Sequence, residues 1–206
     1  MAGKFITLEG GEGVGKSTQI IRLADALRAR GLTIITTREP GGTQGAEDIR
    51  ALLMSGTQDR WNAQTEALLF AAARADHVAK LIKPALERGD WVLCDRFVDS
   101  TRAYQGGAGG VSDDDIMALH HVGSGGLLPN ITLLLEIPIE EGAKRAAARD
   151  STADRMGDKG SDYYARVANK FSALAQQEPG RFRIIDALGA PEVVTDRIVT
   201  ALADLL

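Results

Sequence analysis

Cysteine is almost absent from this sequence of 206 residues: Cys94 is the single one, and it lies inside an apolar run. A disulfide framework is therefore excluded, and we expect Cys94 to be a small buried hydrophobic side chain. Long apolar runs are missing too, since none approaches the ~18 residues that a membrane-spanning helix needs. The apolar stretch at residues 5–8 is too brief for a signal peptide, so we expect a cytoplasmic protein.

An excess of basic residues is also missing. The sequence has 24 Lys and Arg against 28 Asp and Glu, which gives a formal net charge of -4. This balance argues against broad adhesion to nucleic acid, although a local basic site can still exist. The length suits a single domain, residues 1–206, that can bury a sizeable core without disulfides or structural metal.

Five short apolar stretches are predicted to be β-strands, and helical patterns separate them. The stretches are residues 4–8, 32–37, 91–94, 131–137 and 182–185. Helical spacing is found over residues 16–30, which end before Gly31, and over residues 62–87. This alternation predicts an α/β fold with a parallel five-stranded sheet flanked by helices on both faces.

Two kinds of segment stand apart from this pattern. Residues 105–112 and 123–126 are glycine-rich and are predicted to be loops without a fixed fold. Residues 141–161 carry several basic and acidic side chains but few large apolar ones. We interpret this second segment as a small mobile lid.

The residues after the first predicted strand match the Walker A pattern, Gly-x-x-x-x-Gly-Lys-Ser, at positions 10–17. Glycines let backbone N–H groups turn inward around an anion, and the start of the following helix adds positive potential. Lys16 is expected to neutralise the β- and γ-phosphates of ATP, and the Ser17 hydroxyl to ligate Mg²⁺. The fold is therefore predicted to be of the P-loop NTPase type. The predicted nucleotide-binding residues are Gly10, Gly11, Glu12, Gly13, Val14, Gly15, Lys16, Ser17 and Thr18.

A second anion site is predicted at the same edge of the sheet. Asp95 follows the third strand, where ligand groups gather in a parallel sheet, and its carboxylate can hold a metal-bound water or receive a hydroxyl proton. The adjacent Arg96 can pair with an anion through two parallel N–H···O bonds. Arg38 ends the second strand and opens onto the same edge. Two arginines there suggest a phosphate besides those of ATP; the alternative is a surface Asp–Arg pair.

The long predicted helix offers a base-binding face. Phe70 and Arg74 are four residues apart and share that face, and His77 lies one turn further on. Phe70 can stack on a base while Arg74 donates to a carbonyl of that base. The alternative is that Phe70 belongs to the core and Arg74 is solvated.

These residues resemble bacterial thymidylate kinases, and the resemblance extends from Lys4 to about Asp186. The segments that carry it are Phe5-Ile6-x-Leu8-Glu9-Gly10, the phosphate loop, Thr37-Arg38-Glu39-Pro40-Gly41-Gly42-Thr43, Leu69-Phe70-x-x-x-Arg74-x-x-His77, Asp95-Arg96-Phe97-x-x-Ser100-x-x-Ala103-Tyr104-Gln105-Gly106 and Asp154-Arg155. The resemblance implies a homodimeric enzyme that transfers the γ-phosphoryl group of ATP to dTMP in dTTP biosynthesis.

The resemblance also implies a role for individual residues. Phe70 would stack on thymine, Arg74 would hydrogen-bond it, and Arg38 and Arg96 would hold the dTMP phosphate. Glu12 stands where the family has an acidic residue near the sugar and the acceptor phosphate. Tyr104 would lie against C2′ of the deoxyribose, and Ser100, Thr101 and Gln105 would line the same pocket. The segment Ile185-Asp186-Ala187 would flank the adenine.

One departure from the family bears on the mechanism. Some relatives carry a catalytic arginine inside the phosphate loop, where this sequence has Gly13 and Val14. Phosphoryl transfer still needs cationic help, so Arg149 and Arg155 of the lid are the expected sources; the alternative is a solvated charged face. The lid acid, Asp154 or Asp158, has no assigned role. The expected catalytic groups are Lys16, Arg96, Arg155, Glu12, Asp95 and Arg149, and the expected metal ligands are Ser17 and Asp95.

Three other functions remain open at this point. A kinase for a deoxynucleoside or shikimate would share the phosphate loop, but the two edge arginines favour a monophosphate acceptor. A regulatory GTP-binding switch would carry Asn-Lys-x-Asp, and residues 169–172 read Asn-Lys-Phe-Ser instead. A non-catalytic nucleotide-binding module would lack Lys16 or Asp95, and both are present.

Overall fold

Five parallel strands form one sheet in the order β2-β3-β1-β4-β5. The structure is a computed structural model that describes residues 3–148 and 160–206. The strands are β1 (Phe5–Glu9), β2 (Ile34–Arg38), β3 (Trp91–Asp95), β4 (Ile131–Glu136) and β5 (Phe182–Asp186). Each predicted strand differs from the observed one by one or two residues at one or both ends, and the predicted α/β architecture is confirmed.

Helices connect the strands and cover both faces of the sheet. They are α1 (Lys16–Arg28), α2 (Gln44–Met54), α3 (Ala63–His77), α4 (Lys83–Glu87), α5 (Val98–Thr101), α6 (Asp113–Ser124), α7 (Ile139–Ala147), α8 (Ser161–Gln177) and α9 (Pro191–Ala201). A π-helical segment, Val78–Ile82, joins α3 to α4, so the long predicted helix is continuous. A second π-helical segment, Arg102–Ala108, continues α5. Among the described residues, no helix is both long and apolar enough to cross a membrane.

The core is divided by the sheet, because successive strand residues point to opposite faces. Ile6 and Leu8 of β1 pack with α1 and α9 on one face, whereas Phe5 packs on the other face with α4, α6 and the segment Val78–Ile82. Near β5, α8 and the segment Arg102–Ala108 cover Leu134 of β4. Cys94 is buried on the second face, as predicted.

The two predicted loops were wrong in part: residues 109–112 and 125–126 lie outside the helices as predicted, but the residues before them do not. Residues 102–108 are helical, and Gly123 lies inside α6. Their glycines allow close packing: a Cβ at Gly107 would collide with the side chain of Lys170 on α8, and one at Gly123 would lie 3.2 Å from Ala75 Cβ on α3. The predicted lid begins as a helix, since α7 runs to Ala147. Its central residues, 149–159, lie outside the described ranges.

Candidate active site

A cleft of about 1150 Å³ opens at the carboxyl edge of the sheet. The whole phosphate loop, Gly10 to Ser17, lines one part of it. The predicted acceptor-side residues that line the other part are Phe70, Arg74, Asp95, Arg96, Ser100, Thr101, Tyr104 and Gln105. The structure thus brings most of the predicted site residues to one cavity, whose volume exceeds the roughly 300–1000 Å³ of a single small-ligand pocket.

The phosphate loop connects β1 to α1, and its lysine is turned back onto it. Lys16 Nζ donates to the carbonyl oxygens of Gly10 and Gly11, at 3.0 and 2.8 Å. Burial, followed by the nearby charge of Arg96, lowers the pKa of Lys16 to about 8. Thr18 lies behind the loop in the first turn of α1, and its N–H donates to Gly15 O at 3.1 Å. Phosphate oxygens would give Lys16 a better partner than these carbonyls, because they carry negative charge.

The surroundings of Gly13 explain why this position of the phosphate loop has no arginine. Gly13 has φ +75°, in the left-handed region, and a Cβ at this position would collide with the carbonyl oxygen of Gly142 in α7. Any side chain at position 13 would therefore displace α7 or distort the loop.

Ser17 and Asp95 lie together at the loop mouth and fit the predicted metal site. Ser17 Oγ donates to Asp95 Oδ2 at 3.1 Å. The other carboxylate oxygen, Asp95 Oδ1, is buried and finds no hydrogen-bond partner among the described residues. A hydroxyl and a carboxylate with unsatisfied oxygen are ligands that suit Mg²⁺, which usually takes its remaining ligands from phosphates and water.

Arg96 is held beside the phosphate loop by an unusual backbone turn. Its φ of +67° makes it the only non-glycine residue in the described ranges with a positive φ, a conformation that costs about 1–2 kcal/mol. Its Nη1 donates to Gly10 O at 3.4 Å and to Ser100 Oγ at 3.2 Å, while Nη2 donates to Glu12 Oε1 at 2.5 Å. The guanidinium therefore stands between the loop and the acceptor side.

Glu9, which sequence reasoning did not single out, supports this turn from below. Its Oε1 accepts from the backbone N–H of Phe97 at 2.8 Å, and its Oε2 accepts from Ser100 Oγ at 2.6 Å. Burial, followed by the charge of Asp99, raises the pKa of Glu9 to about 8. Its position directly before Gly10, at the end of β1, was the available signal.

Arg38 is placed differently from the prediction. Its Nη2 donates to both carboxylate oxygens of Glu47 on α2, at 3.1 and 3.2 Å, and its side chain is 57% exposed. It does not line the cleft. Glu47 also accepts a hydrogen bond from the N–H of Gly42. This bond is the main cause that lowers the pKa of the Glu47 carboxyl, and the contact with Arg38 lowers it further. Of the two arginines expected at the acceptor phosphate, the structure therefore places only Arg96 on the cleft wall.

Arg74 is buried rather than solvated, with only 2% of its side chain exposed. Its Nε donates to Glu39 Oε2 at 2.8 Å, and its Nη2 donates to Thr101 Oγ1 at 2.8 Å. His77 Nδ1 lies 3.1 Å from the other Glu39 oxygen, and His77 Nε2 lies 2.8 Å from Thr37 Oγ1. Glu39, which sequence reasoning also missed, thus fixes the guanidinium at the wall of the cleft.

Tyr104 and Gln105 complete the acceptor wall, which is the side of the cleft formed by the acceptor-side residues named above. The Tyr104 hydroxyl donates to Glu12 Oε1 at 3.4 Å, and the Arg96 guanidinium lies 5.0 Å from the centre of the tyrosine ring. Burial raises the pKa of Tyr104, so the phenol stays protonated. Gln105 Nε2 donates to Glu66 Oε2 at 3.0 Å. Glu66 lies four residues before Phe70 on α3.

The three residues expected at the adenine do not all lie at the cleft. Ile185 and Ala187 belong to the core beneath α9, whereas Asp186 lines the cleft. The Asp186 carboxylate accepts from the N–H of Leu188 at 3.0 Å and pairs with Arg197 at 3.1 Å. The lid residues Arg149, Asp154, Arg155 and Asp158 lie outside the described part of the chain.

Comparison with known proteins gives consistent matches along the chain. The family model described as thymidylate kinase matches residues 8–198. A thymidylate kinase of Rhizorhabdus wittichii is 58% identical over the full length of both chains, and one of Rhodopseudomonas palustris is 52% identical over 96% of this chain and 87% of its own. The crystal structure of thymidylate kinase from Ehrlichia chaffeensis superposes with a TM-score of 0.79 at 31% identity, over 98% of this chain and 99% of that one.

Proposed function

The chain belongs to the thymidylate kinase family and is a thymidylate kinase, and we propose that its phosphate donor is ATP with Mg²⁺. We propose in addition a role for each residue of the cleft. The observation that carries the proposal is the position of Arg96, whose guanidinium contacts both the phosphate loop at Gly10 and the acceptor wall at Ser100. A cation there can contact a donor and an acceptor phosphate at once.

On the donor side, the loop N–H groups and Lys16 bind the β- and γ-phosphates of ATP. Lys16 exchanges its two carbonyl partners for phosphate oxygens, and their negative charge raises its pKa again, which keeps it cationic. Ser17 and Asp95 would hold Mg²⁺, which would neutralise part of the phosphate charge. Asp186 lies on the cleft wall at the carboxyl end of β5 and is proposed to flank the adenine.

On the acceptor side, Phe70 stacks on the thymine ring and Arg74 donates to one of its carbonyl oxygens. Tyr104 lies against C2′ of the sugar, and Arg96, Ser100 and Glu12 surround the dTMP phosphate. Arg38 becomes a phosphate ligand only if it leaves Glu47. We keep Arg149 and Arg155 of the lid as the proposed cations at the γ-phosphoryl group.

The reaction then needs little acid–base chemistry, because the acceptor phosphate is already largely ionised. The protein holds a dTMP phosphate oxygen in line with the γ-phosphorus and places Lys16 and Arg96 beside the oxygens that carry charge in the transition state. Positioning and charge neutralisation therefore account for the rate.

A coupled ADP-release assay across the nucleoside monophosphates tests this function. We expect turnover with dTMP, ATP and Mg²⁺, little with thymidine, and loss of turnover when Mg²⁺ is chelated. Phosphorylation of thymidine in preference to dTMP would contradict the proposal and favour a nucleoside kinase. Replacing ATP by GTP in the same assay tests the donor.

We also propose that the enzyme is a cytoplasmic homodimer that pairs through α3 and α6. These helices pack together, and they carry the exposed apolar side chains Leu68 and Val122, which are 55% and 86% exposed. Sedimentation equilibrium should give a mass of two chains for the wild type, and a Val122→Lys variant should shift it toward one. A wild-type mass of one chain, 21.9 kDa, would contradict the proposal.

A further inference from the structure

Two polar contacts join α3 to the helix that begins at α5, and both lie at the acceptor wall. Arg74 Nη2 donates to Thr101 Oγ1 at 2.8 Å, and Gln105 Nε2 donates to Glu66 Oε2 at 3.0 Å. Glu66 and Arg74 are eight residues apart on α3, with Phe70 midway between them, so all three share one face of the helix. Thr101 and Gln105 are four residues apart, so the two contacts follow one another along the interface between the two helices.

The contact with Glu66 decides which way the Gln105 amide points. A carboxylate offers only acceptors, so the amide must present its NH₂ group to Glu66; the opposite orientation would set two oxygen atoms against each other. Both side chains are buried, at 3% and 2% exposure, so water does not compensate for the wrong orientation. The amide oxygen of Gln105, a residue that lines the cleft, therefore lies on the side away from Glu66.

The acceptor side of the cleft therefore has a hydrogen-bond donor, Arg74, and a hydrogen-bond acceptor, the amide oxygen of Gln105, whose orientations are both fixed by neighbouring side chains. Arg74 can only donate, and its guanidinium is held by Glu39 and Thr101. Gln105 offers a carbonyl oxygen, which can only accept. Thymine has a carbonyl at C4 and an N–H at N3, which match this pair. Cytosine has the reverse pattern, an amino group at C4 and an acceptor at N3.

We infer that Glu66 is a positioning residue for base selection: by fixing the Gln105 amide, it makes the acceptor site take a pyrimidine with an N3–H and reject cytosine nucleotides. The inference rests on the proposed binding of dTMP over Phe70. Glu66 itself does not need to touch the base, because it acts through Gln105.

The test compares dTMP with 5-methyl-dCMP, which shares the methyl group, sugar and phosphate of dTMP and differs only at N3 and C4. The measured quantity is the ratio of kcat/KM for the two acceptors. Two reversed hydrogen bonds should give the wild type a ratio of at least about 1000 in favour of dTMP. A Glu66→Gln variant offers both an oxygen and an NH₂ to Gln105, so the amide can turn, and the ratio should fall at least about tenfold.

A Glu66→Asp variant serves as a second probe. It withdraws the carboxylate by one methylene, about 1.5 Å, which takes it beyond hydrogen-bond reach of Gln105 and should also lower the ratio. The matched control is Asn62→Ala, which removes the N-cap contact from Asn62 Oδ1 to the N–H of Thr65 on the same helix. It should lower the thermal denaturation temperature while leaving the ratio unchanged.

The outcomes are distinguishable. If both Glu66 variants lose activity equally on the two acceptors, so that the ratio stays as in the wild type, Glu66 has a structural role only and the inference is wrong. A wild type that phosphorylates dTMP and 5-methyl-dCMP alike also overturns it, while leaving the proposed function intact. A wild type inactive on dTMP overturns the proposed function, and this inference with it.

Discussion

Replacing Glu39 by glutamine should destabilise this protein far more than replacing Glu47, although each residue pairs with an arginine in the same part of the chain. Glu39 holds Arg74 at 2.8 Å, and the two side chains are 3% and 2% exposed. Glu47 holds Arg38 at 3.1 Å, with exposures of 38% and 57%. Each substitution removes one charge and leaves the shape of the side chain almost unchanged.

The expected magnitudes follow from burial. Breaking a buried ion pair from one side leaves the other charge in a low-dielectric interior, at a cost of about 3–5 kcal/mol. An exposed pair contributes only about 0–1 kcal/mol, because water and salt screen it. For a domain with a total stability of about 5–15 kcal/mol, the first loss is large and the second is small.

Urea denaturation followed by circular dichroism measures the difference. With a denaturant dependence of about 2–3 kcal/mol per molar, Glu39→Gln should lower the midpoint by roughly 1–2 M, and Glu47→Gln by less than about 0.5 M. Equal shifts for the two variants, or a loss below about 1 kcal/mol for Glu39→Gln, would refute the reasoning that the Arg74 charge depends on Glu39.

Three further predictions concern the loop, the metal site and a buried histidine. Gly13→Ala should lower kcat at least about tenfold without changing the far-ultraviolet spectrum, since its Cβ would meet Gly142; wild-type turnover would disprove the contact. Asp95→Asn should raise the Mg²⁺ concentration that half-saturates turnover at least about tenfold, and an unchanged Mg²⁺ curve would remove Asp95 from the site. Burial, followed by the charge of Arg74, lowers the pKa of His120 from 6.5 to about 4, so the unfolded chain binds a proton that the folded one does not. Stability should therefore fall by up to about 3 kcal/mol between pH 6.5 and 4; His120→Gln should show a smaller fall, and equal slopes would contradict this.

The strands, the phosphate loop and the acceptor edge were predictable because each depends on local pattern. Asp95 and Arg96 follow an apolar strand, and the alternation of strands and helices brings the carboxyl ends to one edge. Fixed spacing on a helix likewise placed Phe70 and Arg74 on one face. Each of these features depends on residues that are close together in the sequence.

What the sequence did not reveal depends on contacts between distant residues. The burial of Arg74 requires Glu39 and Thr101, 35 and 27 residues away, to meet it, and even the pairing of Arg38 with Glu47 spans the nine residues that separate a strand from a helix. The glycines at 107 and 123 suggested loops, whereas they permit close packing against α8 and α3. Glu9, Glu39 and Glu66 are three buried carboxylates whose hydrogen-bond partners named above lie 35 to 91 residues away along the chain, which no local pattern shows.

The most direct test of the whole account is calorimetric binding of an analogue in which five phosphates join adenosine to thymidine. If the Lys16 loop and Arg96 serve one continuous cleft, the analogue binds one per chain, competes with both ATP and dTMP, and is weakened at least about 100-fold by either Lys16→Met or Arg96→Met. An analogue that binds no more tightly than ATP and leaves dTMP binding unaffected would contradict the juxtaposition of the two phosphate sites.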